Sequence, residues 1–393
     1  MRTSLPRRLL KFALALFLLV VIAFFSFGPS LTEHSMNHVL VPGPYTAPPA
    51  AVALHRRLLV ADLHADSLLW DRDLLSRSTR GQVDVPRLIE GNVALQVFTA
   101  VTKTPRGINY ERNDSSTDSI TLLMFVQLRP PSTWTSLTAR ALNMAAHLHD
   151  FAARSGGRLT VVHSAPDLAR YLDRRRSDPA ITAGLLGMEG AHALEGNLAN
   201  LDRVYDAGYR LIGLAHFFDN SFAGSAHGIA KGGLTEKGRE LVRLMQARGM
   251  IVDLAHSSPQ TISDVLAITT RPVVFSHGGV KGTCNNTRNL SDDQLRGIAQ
   301  TGGIIGIGYW ETAVCGTDVH SIARAVRYAV GIVGVDHVAL GSDFDGAVTT
   351  PFDTTGLVLI TGALLQEGLS EDAIAKIMGG NVFRLFAQLL PQS

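Results

Sequence analysis

The chain has 393 residues, of which 46% are hydrophobic and 18% are charged, and its formal net charge is +2. This is the composition of an ordinary globular protein with a large core, and the length suits either two domains or one barrel. The small net charge and the lack of a long basic run after the first residues argue against nucleic acid as a partner.

The N-terminal segment has the layout of an export signal. Its basic residues are Arg2, Arg7, Arg8 and Lys11, and an almost unbroken apolar run over residues 12–27 follows. This order is typical of a secretory signal peptide or a membrane anchor. Because no clear Ala-x-Ala cleavage site follows, we predict an uncleaved anchor over residues 1–28, with a cleaved signal peptide as the alternative. The anchor predicts attachment to the (inner) membrane with the rest of the chain outside the cytoplasm, and the signal peptide predicts a periplasmic or secreted protein.

Residues 29–52 differ in composition from the chain on either side. They include Pro42, Pro44, Pro48 and Pro49 and show no periodic apolar pattern, which indicates a linker. Residues 53–393 are predicted to form one domain.

That domain alternates short apolar runs with segments of helical periodicity. The predicted strands are residues 58–62, 93–100, 181–188, 210–215, 250–254, 272–276, 303–309 and 337–341. Clear helical patterns occupy residues 136–153, 235–248, 291–301 and 320–333. Apolar strands separated by helices are typical of a parallel sheet. Eight repeats match a (β/α)8 TIM-type barrel, so we predict an α/β fold of that architecture.

Two segments depart from this alternation. Residues 102–134 are too long for a simple connection, and because they follow the second strand we expect them to overhang the mouth of the barrel. The chain from residue 370 onward is predicted to form two short helices. The amphipathic stretch 381–390 is expected to cover the outside of the barrel.

Two cysteines, Cys284 and Cys315, are present. In an exported protein such a pair can form a disulfide bond. A metal site is less favoured, because the two residues are far apart in sequence and neither has a histidine beside it. We predict a disulfide, with two buried thiols as the alternative.

Six predicted strands end in side chains that can bind a metal. They are His64 and Asp66 after the first strand, Glu189 after the third, His216 after the fourth, His256 after the fifth, His277 after the sixth and Asp343 after the eighth. The carboxyl ends of barrel strands meet on one face, so we expect these side chains to converge. Buried charges are costly unless they are paired or bound to metal. The set suits two divalent ions with Glu189 as the bridge, because Gly187 and Gly190 leave room beside it.

Taken together, these motifs resemble the membrane (renal) dipeptidase family of zinc peptidases. The matching motifs are Asp62-Leu63-His64-Ala65-Asp66, Gly187-Met188-Glu189-Gly190, the strand end at His216, Asp253-Leu254-Ala255-His256, Phe275-Ser276-His277 and Gly341-Ser342-Asp343-Phe344-Asp345-Gly346. The resemblance extends over about residues 55–390 in the same order. It implies a metal-dependent hydrolase barrel, a dipeptide substrate, two Zn²⁺ ions per chain and a homodimer.

The resemblance also implies a role for each site residue. One zinc ion would be bound by His64, Asp66 and Glu189, and the other by Glu189, His256 and His277. His216 would contact the substrate, Arg288 would hold the substrate's C-terminal carboxylate, and Asp343 would lie beside the bridging water. Cys284 and Cys315 correspond to a disulfide of mammalian relatives. The lipid anchor that those relatives carry at the C-terminus has no matching apolar tail before Ser393, so we expect any membrane attachment at the other end.

The predicted reaction is hydrolysis of a dipeptide by a hydroxide held between two zinc ions. His216 would stabilise the oxyanion, and Asp343 would carry a proton from the water to the leaving amine. One alternative is another binuclear metal-dependent amidohydrolase, acting on a lactone, a cyclic amide or a phosphoester. A catalytically inactive metal-binding barrel is the other. Many hydrolase barrels begin with His-x-His, whereas this chain has His64-x-Asp66, which favours the dipeptidase.

Overall fold

A computed structural model describes residues 7–392, and its strands are short and mostly buried. They are β1 (His38–Val39), β2 (Val60–Ala65), β3 (Val93–Val101), β4 (Leu159–Val161), β5 (Thr182–Glu189), β6 (Tyr209–Gly213), β7 (Ile251–Asp253), β8 (Val274–Phe275), β9 (Ile304–Ile307), β10 (Val338–Leu340) and β11 (Thr349–Thr350). The order β2-β3-β5-β6-β7-β8-β9-β10 forms one parallel sheet that curves into a barrel. Each of the eight predicted strands overlaps one of these, so the barrel prediction is confirmed.

Side chains complete the ring where the first and last barrel strands meet. The Ser342 amide donates to Asp62 Oδ2 at 2.9 Å, and the Ser342 hydroxyl donates to Asp62 Oδ1 at the same distance. A backbone bond from Asp66 to Phe344, also 2.9 Å long, joins the two loops just beyond. The barrel is therefore closed by a buried carboxylate that bridges β2 to the end of β10.

Most of the helices alternate with the barrel strands in sequence. The helices are α1 (Arg7–Met36), α2 (Pro49–His55), α3 (Val85–Glu90), α4 (Ile120–Val126), α5 (Ser132–Thr135), α6 (Leu137–Arg154), α7 (Ala165–Ser177), α8 (Asn200–Asp206), α9 (Glu236–Ala247), α10 (Pro259–Ile268), α11 (Asp292–Gln300), α12 (Glu311–Val314), α13 (Val319–Val333), α14 (Leu357–Gln366), α15 (Glu371–Ala375) and α16 (Asn381–Leu389). Helices α1 and α2 precede the first barrel strand, and α14 to α16 follow the last. Helices α6, α9 and α11 begin where Ser136, Thr235 and Ser291 accept a bond from the first turn. These N-caps satisfy amides that the helix itself leaves free.

The C-terminal helix covers one end of the barrel. Val382, Leu385 and Phe386 of α16 share a buried apolar cluster with barrel residues such as Leu63 and Leu95. The helix therefore closes the end of the barrel opposite the carboxyl ends of the strands. The prediction that this helix covers the barrel is confirmed, and the covered surface is the end of the barrel.

The N-terminal helix α1 continues past the predicted boundary at residue 28. Its apolar residues from Leu9 to Phe27 are largely exposed, whereas Glu33 near its end is only 1% exposed. Glu33 forms ion pairs with Arg72 at 2.7 Å and with Arg80 at 3.2 Å. The last turns of α1 are thus packed on the barrel, and Arg2 of the basic flank lies outside the described residues. Among residues 7–392, α1 is the one helix long and apolar enough to span a membrane.

The 102–134 insertion lies over the mouth of the barrel, as expected. The Thr287 hydroxyl donates to the Tyr110 carbonyl at 3.0 Å, and the Asn113 amide donates to the His227 carbonyl at 2.7 Å. These bonds attach the insertion to the loops that follow β8 and β6. The insertion also contains α4, which lines the cavity below.

Candidate metal centre

Every predicted ligand lies at the carboxyl end of a barrel strand and is buried. The residues are His64 and Asp66 on and after β2, Glu189 at the end of β5, His216 after β6, His256 after β7, His277 after β8 and Asp343 after β10. The parallel sheet turns all these strand ends toward one cavity, as the barrel architecture requires. The structure therefore brings together seven side chains that are widely separated in sequence.

Glu189 lies at the centre of the group. Its Oε1 atom is 3.0 Å from His256 Nε2, 3.2 Å from His277 Nε2 and 3.6 Å from His64 Nε2. Its other oxygen, Oε2, is 3.2 Å from His216 Nε2. One carboxylate thus contacts histidines from four strands, the position that a bridging ligand needs.

A second group of donors lies on the β2 side of Glu189. His64 Nε2 is 3.3 Å from Asp66 Oδ1 and 3.9 Å from Asp343 Oδ1. Three sets of donors each lie within 4.8 Å of one another, namely His64 with Glu189 and His277, Glu189 with His216 and His256, and His64 with Asp66 and Asp343. Nitrogen and carboxylate donors in overlapping sets fit a binuclear centre for divalent ions.

The electrostatics of the cavity favour a cation. Burial, reinforced by the charge of Asp66, raises the pKa of Glu189 well above its usual value. Burial likewise raises the pKa of Asp343 to about 8 against the opposing effect of His64. Burial disfavours charge on His64, but Asp66 and Glu189 raise its pKa to about 10. Three buried carboxylates share this space, and divalent cations would offset the free-energy cost of their charge.

The buried histidines are suited to binding metal as neutral rings. Burial lowers the pKa of His256 and of His277 well below the usual value. The Ser276 hydroxyl donates to Asp253 Oδ2 at 2.6 Å and lies 2.8 Å from His277 Nδ1. Because that hydroxyl proton is used on Asp253, the Ser276 oxygen is left to accept from Nδ1–H of His277. This chain of contacts leaves Nε2 of His277 free as the donor to a metal.

Replacing Ser276 by alanine is expected to weaken metal binding without removing a ligand. Loss of an outer hydrogen bond to a metal-binding histidine typically reduces affinity by roughly 10–100-fold. Titration of the metal-free chain with Zn²⁺ would measure the change in dissociation constant. Ser155→Ala, a buried serine after α6, is the matched control and should keep the parent affinity. Equal affinities for both variants would contradict the orienting role of Ser276.

Thr99 is a part of the site that sequence reasoning missed. Its Oγ1 atom lies 2.5 Å from Asp66 Oδ1 and 3.2 Å from His64 Nε2. It therefore fixes the position of two predicted ligands on the neighbouring strand. A threonine inside an apolar strand carries no local signal, because threonine is common in strands of every kind.

Strained backbone occurs at two of the predicted site residues. His256 and Asp343 adopt φ angles of 59° and 60°, in the left-handed region that side chains other than glycine rarely enter. Such conformations persist only where surrounding structure holds them, and they are concentrated at functional sites. Both residues follow their strands by a few positions, so the turn aims the side chain back into the cavity.

Arg288 presents to the cavity a guanidinium group with two nitrogens that have no hydrogen-bond partner within the described chain. It is 3% exposed, and its Nη2 atom donates to the His277 carbonyl at 2.8 Å. Its Nε and Nη1 atoms have no partner within the described chain. The guanidinium carbon lies 5.6 Å from the ring centre of Phe275 and 5.8 Å from that of Trp310. The aromatic rings hold the planar group in place while two donors stay available to a carboxylate.

The cavity joins the metal-binding end to apolar walls. Its lining includes Asp66, Glu189, His216, His256, Asp343 and Arg288 on the polar side, and Leu69, Trp70, Ile120, Leu123, Phe217 and Trp310 on the apolar side. Sequence reasoning did not identify these apolar residues, because they lie in loops and in the insertion without any periodic pattern. A cavity with a few convergent polar groups and apolar walls is typical of a small-molecule site.

Two further histidines lie at the edge of the site. His227 is buried, its Nδ1 is 2.8 Å from the Tyr110 carbonyl, and its ring centre is 5.2 Å from that of His256. His192 stacks on His216 with ring centres 6.3 Å apart. Both are single histidines in loops, so no spacing in the sequence points to them.

The predicted disulfide is present between Cys284 and Cys315. Cys284 lies in the loop that carries Arg288, and Cys315 follows α12, which begins just after Trp310. The cross-link therefore joins two loops that form neighbouring parts of the cavity wall.

Comparison with known proteins gives consistent matches. Residues 49–390 match the family model described as membrane dipeptidase, peptidase family M19. The chain is 30% identical over 329 residues to the dipeptidase tcpJ of Claviceps purpurea, which covers 81% of this chain and 72% of that protein. It is 29% identical over 359 residues to the dipeptidase aclJ of Aspergillus oryzae, covering 85% and 78% of the two chains.

A solved structure shares the fold over nearly its whole length. It is a metallopeptidase from Rhodobacter sphaeroides, liganded with a phosphinate mimic of the dipeptide L-Ala-D-Ala. The TM-score is 0.69 at 25% sequence identity, and the match covers 85% of this chain and 99% of that one.

Proposed function

The chain belongs to the membrane dipeptidase family, peptidase family M19, and we propose that this metallo-dipeptidase cleaves free dipeptides at a centre of two zinc ions. The observation that carries the proposal is the position of Glu189. Its carboxylate lies between histidines from separate strands, in a buried cavity that also contains Asp66 and Asp343. This arrangement suits a bridging ligand and has no evident purpose without cations.

The proposed ligands divide into two sets. One ion would be held by His64, Asp66 and Glu189, and the other by Glu189, His256 and His277. Two distances support this division, since His64 Nε2 lies 3.3 Å from Asp66 Oδ1 and His256 Nε2 lies 3.1 Å from His277 Nε2. When bound, a pair of divalent ions supplies a hydroxide at neutral pH and polarises the scissile carbonyl.

His216 and Asp343 are proposed to act on the substrate. Burial lowers the pKa of His216 well below its usual value, so the neutral ring can donate a hydrogen bond to the oxygen where negative charge develops. Asp343, whose Oδ1 lies 3.9 Å from His64 Nε2, would accept the proton of the attacking water and deliver it to the leaving amine. Burial raises the pKa of Asp343 to about 8, and bound cations would lower it again, toward the range of a group that both accepts and releases a proton near neutral pH.

Arg288 is proposed to select short substrates by holding their C-terminal carboxylate. Its two unpartnered donors match a carboxylate in bidentate geometry, which a lysine ammonium cannot reproduce. A dipeptide places its carboxylate one residue from the scissile bond. A longer peptide carries an amide at that position, and the buried guanidinium would then stay unpaired.

Replacing Arg288 by alanine is expected to reduce kcat/KM for free dipeptides by about 30-fold or more, since truncating a buried charge pair costs about 2–5 kcal/mol. The loss should be small for dipeptides amidated at the C-terminus, because they have no carboxylate to bind. Steady-state kinetics on both substrate types would measure the difference. Arg296→Ala, at an exposed position on α11, is the control and should change neither value. Equal losses on free and amidated substrates would contradict the clamp.

A dipeptide panel assayed with and without a chelator tests the proposed function. The panel includes L-D pairs, since the Rhodobacter sphaeroides protein was solved with a mimic of L-Ala-D-Ala. We expect chelator-sensitive hydrolysis of free dipeptides, restored by Zn²⁺. Cleavage of a lactone, cyclic amide or phosphoester but of no dipeptide would contradict the proposal, and so would metal binding without hydrolysis.

The membrane attachment is also a proposal. We propose that α1 is an uncleaved anchor that holds the barrel outside the cytoplasm. Two observations support it, namely the exposed apolar surface of α1 and the packing of its last turns against the barrel through Glu33.

The homodimer that the family resemblance implies stays a prediction.

A further inference from the structure

Helix α4 of the insertion has two apolar sides, one facing the active-site cavity and the other facing solvent. Ile120 and Leu123 line the active-site cavity. Leu122 and Phe125 lie on the other side and are 57% and 40% exposed, and Leu128, just beyond the helix, is 69% exposed. We name these three residues, Leu122, Phe125 and Leu128, the α4 apolar face. No charged residue occurs between Ile120 and Leu128, so α4 lacks the charged side that a water-facing helix usually has.

The position of Leu128 is costly for a residue exposed to water. Its φ angle is 53°, in the left-handed region where glycine or asparagine is favoured. A leucine there accepts backbone strain and projects an apolar side chain away from the protein. The contacts of Leu128 within the described chain do not explain why a leucine occupies this position, whereas contact with an apolar environment would.

The α4 apolar face is continuous with the apolar surface of α1. The ring centres of Phe125 and Phe25 are 5.5 Å apart. Gly28 packs so closely on α4 that a Cβ atom there would lie 3.2 Å from Val126 Cγ1. Helix α4 therefore lies beside the end of the apolar run of α1.

This contact fixes the depth of α4 relative to a bilayer. From Leu9 to Phe27 the helix rises about 27 Å, close to the roughly 30 Å thickness of a hydrocarbon core, and Lys11 in the first turn of this segment is near enough to the end to extend its ammonium to the interface. Arg7 and Arg8 precede this segment and Lys11 lies in its first turn, which favours an orientation with the barrel on the far side of the membrane. Phe25 is then about 3 Å inside the outer edge of the hydrocarbon. Phe125, in contact with Phe25, lies at that same edge.

We infer that the α4 apolar face lies in the outer interface of the bilayer that α1 spans, and that the active site opens at the membrane surface. The inference rests on the proposed role of α1 as an uncleaved anchor. Thr32 and Met36, at the end of α1, line the same cavity as Ile120 and Leu123 of α4. The two helices that meet the membrane are thus also walls of the active site.

A bilayer is a better occupant of this face than a second copy of the chain. The α4 apolar face contacts Phe25 of α1, and Phe24 and Phe27 of the same helix are exposed in the segment that would be surrounded by lipid. A partner protein covering α4 would have to extend into the same hydrocarbon layer. Lipid chains cover both surfaces at once and require no second binding site.

Quenching by brominated lipid tests the placement of α4. The full chain carrying Leu122→Trp or Leu128→Trp is reconstituted into phosphatidylcholine vesicles whose acyl chains are brominated near the glycerol. Tryptophan emission is compared with that in unbrominated vesicles, after subtracting the signal of the parent chain. The matched control is Leu59→Trp, an exposed leucine just before β2 at the opposite end of the barrel. We expect the emission of Trp at positions 122 and 128 to be blue-shifted relative to that at position 59. We also expect brominated lipid to reduce emission at positions 122 and 128 but not at position 59.

The possible outcomes distinguish failure of this inference from failure of the proposed anchor and of the proposed dipeptidase activity. Equal emission losses at positions 122 and 59 in vesicle-bound chain would overturn the placement of α4. Failure of the full chain to float with vesicles would overturn both the anchor and this inference, while dipeptide hydrolysis by the same preparations in detergent tests the enzymatic proposal independently. Concentration-dependent shielding of position 122 in detergent, without quenching in vesicles, would overturn the inference in favour of a second copy. Hydrolysis in detergent also verifies that each variant is folded.

Discussion

Replacing Glu189 by glutamine is expected to remove most of the bound metal and with it most of the turnover. The amide keeps the shape of the side chain but loses the charge that holds two cations together. Because Glu189 contacts His64, His256 and His277, both proposed metal sites are affected by this one change. The loss of metal affinity should exceed the roughly 10–100-fold weakening that removal of an outer hydrogen bond produces.

Elemental analysis of the purified variant, together with dipeptide kinetics, measures both effects. Glu195→Gln is the matched control, because Glu195 is an exposed glutamate in the loop that follows the same strand. It should keep the metal content and turnover of the parent chain. A Glu189→Gln variant with full zinc content and normal turnover would rule out the bridging role.

Asparagine in place of Asp343 is expected to reduce turnover strongly while the metals stay bound. Proton transfer by a positioned side chain typically contributes roughly 10²–10⁴-fold to the rate, and the amide cannot accept the proton. His64, Asp66 and Glu189 are unchanged, so the proposed ligands remain. The fall should appear in kcat with little change in KM.

The pH dependence gives a second measurement of the same role. A general base acts in its ionised form, so parent activity should fall as the pH drops through the pKa of Asp343. Burial raises that pKa to about 8, and bound cations would lower it, which places the acidic limb below that value. The asparagine variant should lack this limb. The control Asp336→Asn, at an exposed position before β10, should retain the parent pH profile. An Asp343→Asn variant with an unchanged acidic limb would contradict the role of Asp343 as the general base.

The barrel and the residues at its mouth follow from patterns that are local in sequence. Each barrel strand is an apolar run long enough to recognise, and six of the eight end in or are followed within a few positions by a proposed ligand or site residue such as His256 or His277. Parallel strands bring those ends together whatever the connecting loops do. The convergence of ligands was therefore predictable before any distance was known, and so was the presence of a disulfide as one of two alternatives.

Contacts between unrelated segments could not be predicted in the same way. The ion pair of Glu33 with Arg72 joins the end of α1 to a loop after β2, and neither residue has a distinctive neighbour in sequence. Thr99 meets Asp66 across two strands for the same reason. The course of the 102–134 insertion depends on contacts with the segments that follow β2, β6 and β8. Such features result from the assembled fold and leave no periodic trace in the chain.

The closure of the barrel by Asp62 and Ser342 has a consequence for the biogenesis of the enzyme. These two residues are 280 positions apart, and Asp343 lies directly beside the second of them. The ring cannot close until almost the whole polypeptide has emerged from the machinery that makes or translocates it. The proposed ligands from the first and last strands meet only at that stage, so export through the proposed α1 anchor would place completion of the cation site, and uptake of its metal, after translocation.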